Sequence, residues 1–141
     1  MFRLFRRNRE KGASLVEFAV VLPLLLLLVF GIMEAGWLFS QQVEVRNASR
    51  EGARLAVVDY GTVDAMRTEV CDRAALSAAR AEIGFDLRTE TAQVTVQQTY
   101  ESLTGVVPQF GDGIVIRSVT EMRLEQEIDN WSDNGTLAGC P

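Results

Sequence analysis

Histidine is absent from the 141 residues. That absence excludes a Ser-His-Asp triad, a Cys-His dyad and every zinc site that uses imidazole. Cysteine occurs twice and there is no CxxC pair, Walker loop, GxGxxG or G-x-S-x-G motif. Asp59, Asp64, Asp72 and Asp86 are scattered without calcium-loop spacing. No metal and no cofactor is expected. The length of about one domain leaves no room for a large two-domain enzyme. Basic residues are outnumbered, 14 to 19, and the net charge of −5 argues against nucleic acid as a partner.

What is present is unevenly distributed. Residues 1–11 carry Arg3, Arg6, Arg7, Arg9 and Lys11 against Glu10 alone. Phe18 to Met33 has no charge, and 12 of those 16 residues are Leu, Ile, Val or Phe. The chain after Gly12 keeps nine basic and 18 acidic residues, a charge of −9. Apolar character extends from Ala13 to Phe39, interrupted only by Glu17 and Glu34. As a helix this stretch is about 40 Å long, enough to cross a bilayer. Its strong apolar residues contribute about −5 kcal/mol to insertion, more than the ~3 kcal/mol cost of one acid near an end. The five-leucine run Leu24–Leu28 leaves no polar face for water, so a transmembrane helix is expected over a soluble core helix.

The flanks set the orientation. Five basic residues precede the span, and the first one after it is Arg46. The positive-inside bias keeps the N-terminus cytoplasmic and places residues from about 40 onward outside. Trp37 stands where an interfacial aromatic anchor belongs. A secretory signal requires small residues before a cleavage point after the apolar run. The Glu34-Ala35-Gly36-Trp37 stretch supplies a poor one.

The other end of the span is more specific. Lys11-Gly12-Ala13-Ser14-Leu15-Val16-Glu17-Phe18 places a glycine at the edge of the basic segment, then four residues, a glutamate and an aromatic. This pattern resembles the processing site of type IV prepilins. The stretch GASLVEFAVVLPLLLLLVFGIMEAGWLF and the following Arg50-Glu51-Gly52-Ala53-Arg54 are similar to the TadE-like branch, the minor pseudopilins of the tight-adherence (Flp) pilus system. The sequence departs from that branch at Phe18, where tyrosine is common. The resemblance covers residues 10–58. It implies a processing site formed by Gly12, Ala13, Glu17 and Phe18, cut between Gly12 and Ala13 by a prepilin peptidase. It also implies a bacterial inner-membrane location, a periplasmic C-terminal part, and other pilins, pseudopilins and the pilus assembly platform as partners.

The cut would create an α-amino group at Ala13, with Glu17 one helical turn away. A carboxylate in the first turns complements the helix dipole, whereas the amine opposes it. In pilins this amine and glutamate are thought to pair between subunits, a directional contact in low dielectric that can set register. Glu34 lies about 25 Å further along the helix, near the outer interface, and is expected to be exposed. Pro23 is expected to bend the helix locally, and Gly31, Gly36 and Gly52 are small positions that admit a neighbouring element.

Beyond the span, residues 40–58 predict an amphipathic continuation of the helix with Val45, Ala48, Gly52 and Leu55/Ala56 on one face. Arg46, Arg50 and Arg54 form a stripe at i, i+4 and i+8, read as a solvated face or a contact for an acidic neighbour. Asp59-Tyr60-Gly61-Thr62 ends the helix. A second helix is predicted over 64–83, capped by Asp64 or Thr62 and ended by Gly84, with Val63, Met66, Val70, Ala74, Ala78 and Ala81 as its inner stripe. The period then changes to two. Ala92, Val94, Val96, Gln98 and Tyr100 alternate with Gln93, Thr95, Gln97 and Thr99 in one strand. Ile114, Ile116, Met122 and Leu124 alternate in a second, over about 114–125, with Pro108 and Gly111-Asp112-Gly113 in the connection. The tail from Asp129 is polar and expected to be loose. Three sequons, Asn47-Ala48-Ser49, Asn130-Trp131-Ser132 and Asn134-Gly135-Thr136, are read as chance matches. Cys71 and Cys140 lie on the oxidising side, where a bridge between them is favoured over free or intermolecular thiols.

The expected fold is α+β and pilin-like: a leader (1–12), a transmembrane helix (13–39) and a small periplasmic head (40–141) with a second helix and a short antiparallel sheet. The expected function is a minor pseudopilin and not an enzyme. The alternative is an uncleaved, signal-anchored periplasmic binding or adaptor domain. A membrane-tethered carboxylate hydrolase and a soluble secreted protein rank below both.

Overall fold

The structure, a computed structural model, describes residues 7–58, 61–74, 76, 80–87, 90–105, 113–125 and 135–141, with the backbone alone at 7–11 and 87. The chain divides into two compact units, Met1–Gly36 and Trp37–Pro141. The element order is α1 (Arg7–Val57), α2 (Val63–Ala74), β1 (Ala81–Leu87), β2 (Thr91–Thr99), β3 (Val115–Arg123) and β4 (Ala138–Gly139). It is the α+β arrangement that the sequence implied: a long N-terminal apolar helix, a second helix and a small antiparallel sheet.

In the first unit, α1 runs without a break through Gly12, Pro23 and Gly31. Every residue from Gly12 to Met33 is exposed. Glu34 is buried, contrary to the exposure expected of it.

In the second unit the sequence periods become layers. The helix presents Gln41, Val45, Ala48, Ser49, Gly52, Ala53 and Ala56 as a buried face, spaced by three and four as a helix requires. Thr62 caps α2: its Oγ1 accepts from the Ala65 N–H at 3.2 Å, and its carbonyl accepts from Met66 N–H at 3.0 Å. Asp64, the other candidate cap, pairs instead with Arg67 at 2.7 Å. Strand β2 alternates as its sequence does, burying Ala92, Val94, Val96 and Gln98. The sheet order is β3-β2-β1-β4, antiparallel throughout. Its core gathers Val45, Leu55, Met66, Val70, Ile83, Phe85, Val94 and Val96.

The predicted second helix is too long. It stops at Ala74, and Ala81, assigned to its inner stripe, opens β1. From Ala81 the burial has period two, with Ala81, Ile83 and Phe85 inward and Glu82 outward. Gly84 is a mid-strand position and not a helix end. A Cβ there would stand 3.0 Å from the Gly135 carbonyl oxygen, so the strand needs glycine for residues 135–137 to pass close. The described end of the tail is correspondingly ordered: β4 pairs Glu82 with Gly139 and Ile83 with Ala138. The Pro108 turn, Asp59-Tyr60, Ala78 and the Asn130 sequon lie outside the described residues.

Candidate functional site

Two stretches of α1 carry the sequence-derived assignments. The first is the processing signature. Gly12, Ala13, Glu17 and Phe18 are all exposed, and among the described residues no other part of the chain comes within 4 Å of the Cβ position of Gly12. Gly31 and Gly36 likewise have nothing within 4 Å of their Cβ positions among the described residues. The helix from Gly12 onward is long and apolar enough to cross a membrane, and none of its most apolar window is buried. Leucines and valines exposed around the whole circumference require an apolar medium to cover them.

The second stretch is Arg50-Glu51-Gly52-Ala53-Arg54, and here each residue has a distinct task. Gly52 is buried where α1 crosses the sheet and α2 together. A Cβ at this position would stand 2.9 Å from Val94 Cγ1, 3.5 Å from Val70 Cγ2 and 3.7 Å from Phe85 Cε1. Ala53 is fully buried beside it. Glu51 faces α2. Its Oε1 accepts from Arg54 Nη2 and from Arg73 Nη1, each at 2.7 Å, and its Oε2 accepts from Arg54 Nε at 3.0 Å. Arg73 also donates to Glu69 on its own helix. The hydrogen bonds from Arg54 hold the Glu51 carboxyl below the usual glutamate range; partial burial opposes them and Arg73 adds to them. Both guanidinium groups are pushed upward in turn, Arg54 by Glu51 and Arg73 by Glu69 and then Glu51. Of the arginine stripe, Arg46 and Arg50 are exposed, while Arg54 turns its charge to Glu51.

Three contacts were not legible in the sequence. Ser49, fully buried, donates to the Arg46 carbonyl at 3.0 Å and is hydrogen-bonded to the hydroxyls of Ser118 at 2.9 Å and Thr120 at 2.8 Å. Arg67 is buried, and its Nε donates to the Ile83 carbonyl at 3.3 Å, tying α2 to β1. Trp37 Nε1 and Gln41 Nε2 both donate to the Glu101 carbonyl at 3.0 Å. Apart from the Ser49–Arg46 bond within α1, each joins residues 16 to 71 positions apart, so no local period announces them.

Cys71 and Cys140 are joined in a disulfide with a Cα–Cα distance of 5.9 Å. The bridge ties α2 to the end of the chain, where the Cys140 N–H donates to the Ala81 carbonyl at 3.3 Å.

A long apolar helix continuing into a disulfide-bonded α+β unit is the build of a protein anchored by one membrane helix. Residues 12–54 match the family model described as TadE-like protein, and the match runs from Gly12 through Arg54. That family is structural and associated with the tight-adherence pilus, and the match lies within α1, leaving α2 and the sheet outside it. No curated protein and no solved structure matches the chain.

Proposed function

We propose that the chain is a minor pseudopilin of a tight-adherence pilus, made as a precursor and cut between Gly12 and Ala13 by a prepilin peptidase. The observation that carries this reading is the coincidence of three features at one boundary. The family match begins at Gly12, the basic segment ends at Lys11, and Glu17-Phe18 follows at the prepilin spacing. On this reading residues 1–12 are the leader, 13–39 the transmembrane helix and 40–141 the periplasmic head. The N-terminus stays in the cytoplasm, and the helix supplies contacts to other pilins, pseudopilins and the assembly platform in the inner membrane. An oxidising periplasm is consistent with the Cys71–Cys140 bridge.

Glu17 has a defined part in this scheme. After the cut it lies in the first turns of the helix, where its charge complements the dipole that the new Ala13 amine opposes. The chain itself performs no chemistry on this account, and cleavage belongs to the peptidase.

The test is genetic and biochemical together. Deleting the gene abolishes or sharply reduces tight-adherence pili, and a copy carrying Gly12→Val fails to restore them although it reaches the membrane. Full piliation without the protein overturns the reading and favours an adaptor held by an uncleaved anchor.

A further inference from the structure

The bond assigned to the peptidase lies inside a helix. Helix α1 begins at Arg7, five residues before Gly12, and runs unbroken to Val57. In such a helix the Gly12 carbonyl accepts from the N–H of residue 16, and the Ala13 N–H donates to the carbonyl of residue 9. Hydrolysis adds the hydroxyl of water to the Gly12 carbonyl carbon, breaks the C–N bond to Ala13 and leaves the proton of that water on the Ala13 nitrogen. The attacking oxygen must come within about 3–3.5 Å of the carbon along an open face. The neighbouring turns close that face in a helix, and two backbone hydrogen bonds hold the peptide in place.

Glycine is a poor residue for that place. In a helix interior it favours the open state over alanine by about fivefold. A positive φ accounts for glycine at Gly61, and a crowded Cβ position accounts for it at Gly52. Gly12 meets neither demand. It is helical, its φ is not positive, and among the described residues nothing lies within 4 Å of its Cβ position. Gly31 and Gly36 share that openness but lie far from the bond that is cut. We propose that Gly12 serves the opened helix: the turns around the Gly12–Ala13 peptide unwind before the cut, and Gly12 is the positioning residue that sets how readily they do. The helix propensity of the positions on either side of the bond then sets the rate of processing, although their side chains take no part in the chemistry. The proposal rests on the processing reading above, and the native chain in the experiment below separates the two.

The test uses the full precursor in lipid nanodiscs and the prepilin peptidase of its own host, shown to be active on another prepilin. Cleavage is timed for the native chain, for Glu10→Gly against Glu10→Ala, for Ser14→Gly against Ser14→Ala, and for Gly12→Ala with and without Glu10→Gly. Positions 10 and 14 flank the bond and leave Ala13, Glu17 and Phe18 untouched, and each glycine–alanine comparison holds the charge fixed. The expected result is that the glycine variant is cut severalfold faster than the alanine variant at both positions. Gly12→Ala is cut severalfold more slowly than the native chain, and adding Glu10→Gly recovers much of the loss, which a contact between Gly12 and the peptidase would not allow. Hydrogen exchange of amides 13 to 16 in the uncut chains, measured without peptidase, follows the same order. Equal rates within each pair, a difference on one side of the bond only, or no recovery of Gly12→Ala overturns the inference while the native chain remains a substrate. A native chain that the active peptidase leaves uncut overturns the processing reading and the inference with it.

Discussion

Val94 Cγ1 of β2 lies 2.9 Å from the point where a Cβ on Gly52 of α1 would stand. The α1 backbone therefore packs directly on the Val94 side chain, and a Cβ fits at position 52 only if something shifts. Gly52→Ala relieves the low helix propensity of glycine by roughly 1 kcal/mol. It also drives a methyl group into Val94 in a filled core, where overpacking costs about 1–3 kcal/mol. The net expectation is a loss of about 1 kcal/mol for alanine and more for Gly52→Val, read from thermal unfolding of the full chain in detergent. A more stable alanine variant contradicts the close approach.

Glu51 links α1 to α2 through Arg73, and its carboxyl titrates below its ordinary value. A depressed folded-state pKa gives stability that is present above the unfolded glutamate pKa and is lost as pH falls through the folded value. Glu51→Gln is therefore less stable than the native chain at neutral pH. The difference closes as pH drops through and below the carboxylate range. Melting curves of both chains across that range check the sign, and a gap that widens in acid refutes it.

Reducing the Cys71–Cys140 bridge frees a loop with a sequence separation of 69. In the chain-entropy account the loss is about 4 kcal/mol. Because the bridge lies next to β4, the amide of Cys140, bonded to the Ala81 carbonyl, loses hydrogen-exchange protection before the β2–β3 amides do. Uniform loss across the sheet instead means that β4 and the bridge belong to the same cooperative unit as the rest.

Ser49→Ala strips one hydroxyl from a three-hydroxyl cluster and leaves Ser118 and Thr120 without it. The expected cost is about 1 kcal/mol. Adding Ser118→Ala and Thr120→Val recovers most of that loss, since no polar group is then left unpaired. Strictly additive losses indicate that the hydroxyls act independently.

The sequence declared some of these features and concealed others for physical reasons. The inner face of α1 was legible at Val45, Ala48, Gly52 and Ala56 because helical spacing sets it locally. Strand β2 was legible because Ala92, Val94 and Val96 alternate with glutamine and threonine. Strand β1 was missed: alanines at 74, 78 and 81 continue a helical period past the end of α2, and Gly84 imitates a helix stop. Its function in closing on residues 135–137 exists only in the folded sheet. Ser118 and Thr120 are polar interruptions of an inward-facing row, and only the arrival of Ser49 explains them. The proposed processing site at Gly12 and Glu17 is of the opposite kind. Their proposed chemistry depends on spacing along one helix, and the fold places them in the open.

The most direct measurement of the central claim is the intact mass and N-terminal sequence of the protein isolated from membranes of its own host. The account predicts a chain that begins at Ala13, shortened from 141 to 129 residues by loss of the first 12, and a chain that keeps Met1 when the prepilin peptidase is deleted. A chain beginning at Met1 in the intact host, unchanged by Gly12 substitution, contradicts it.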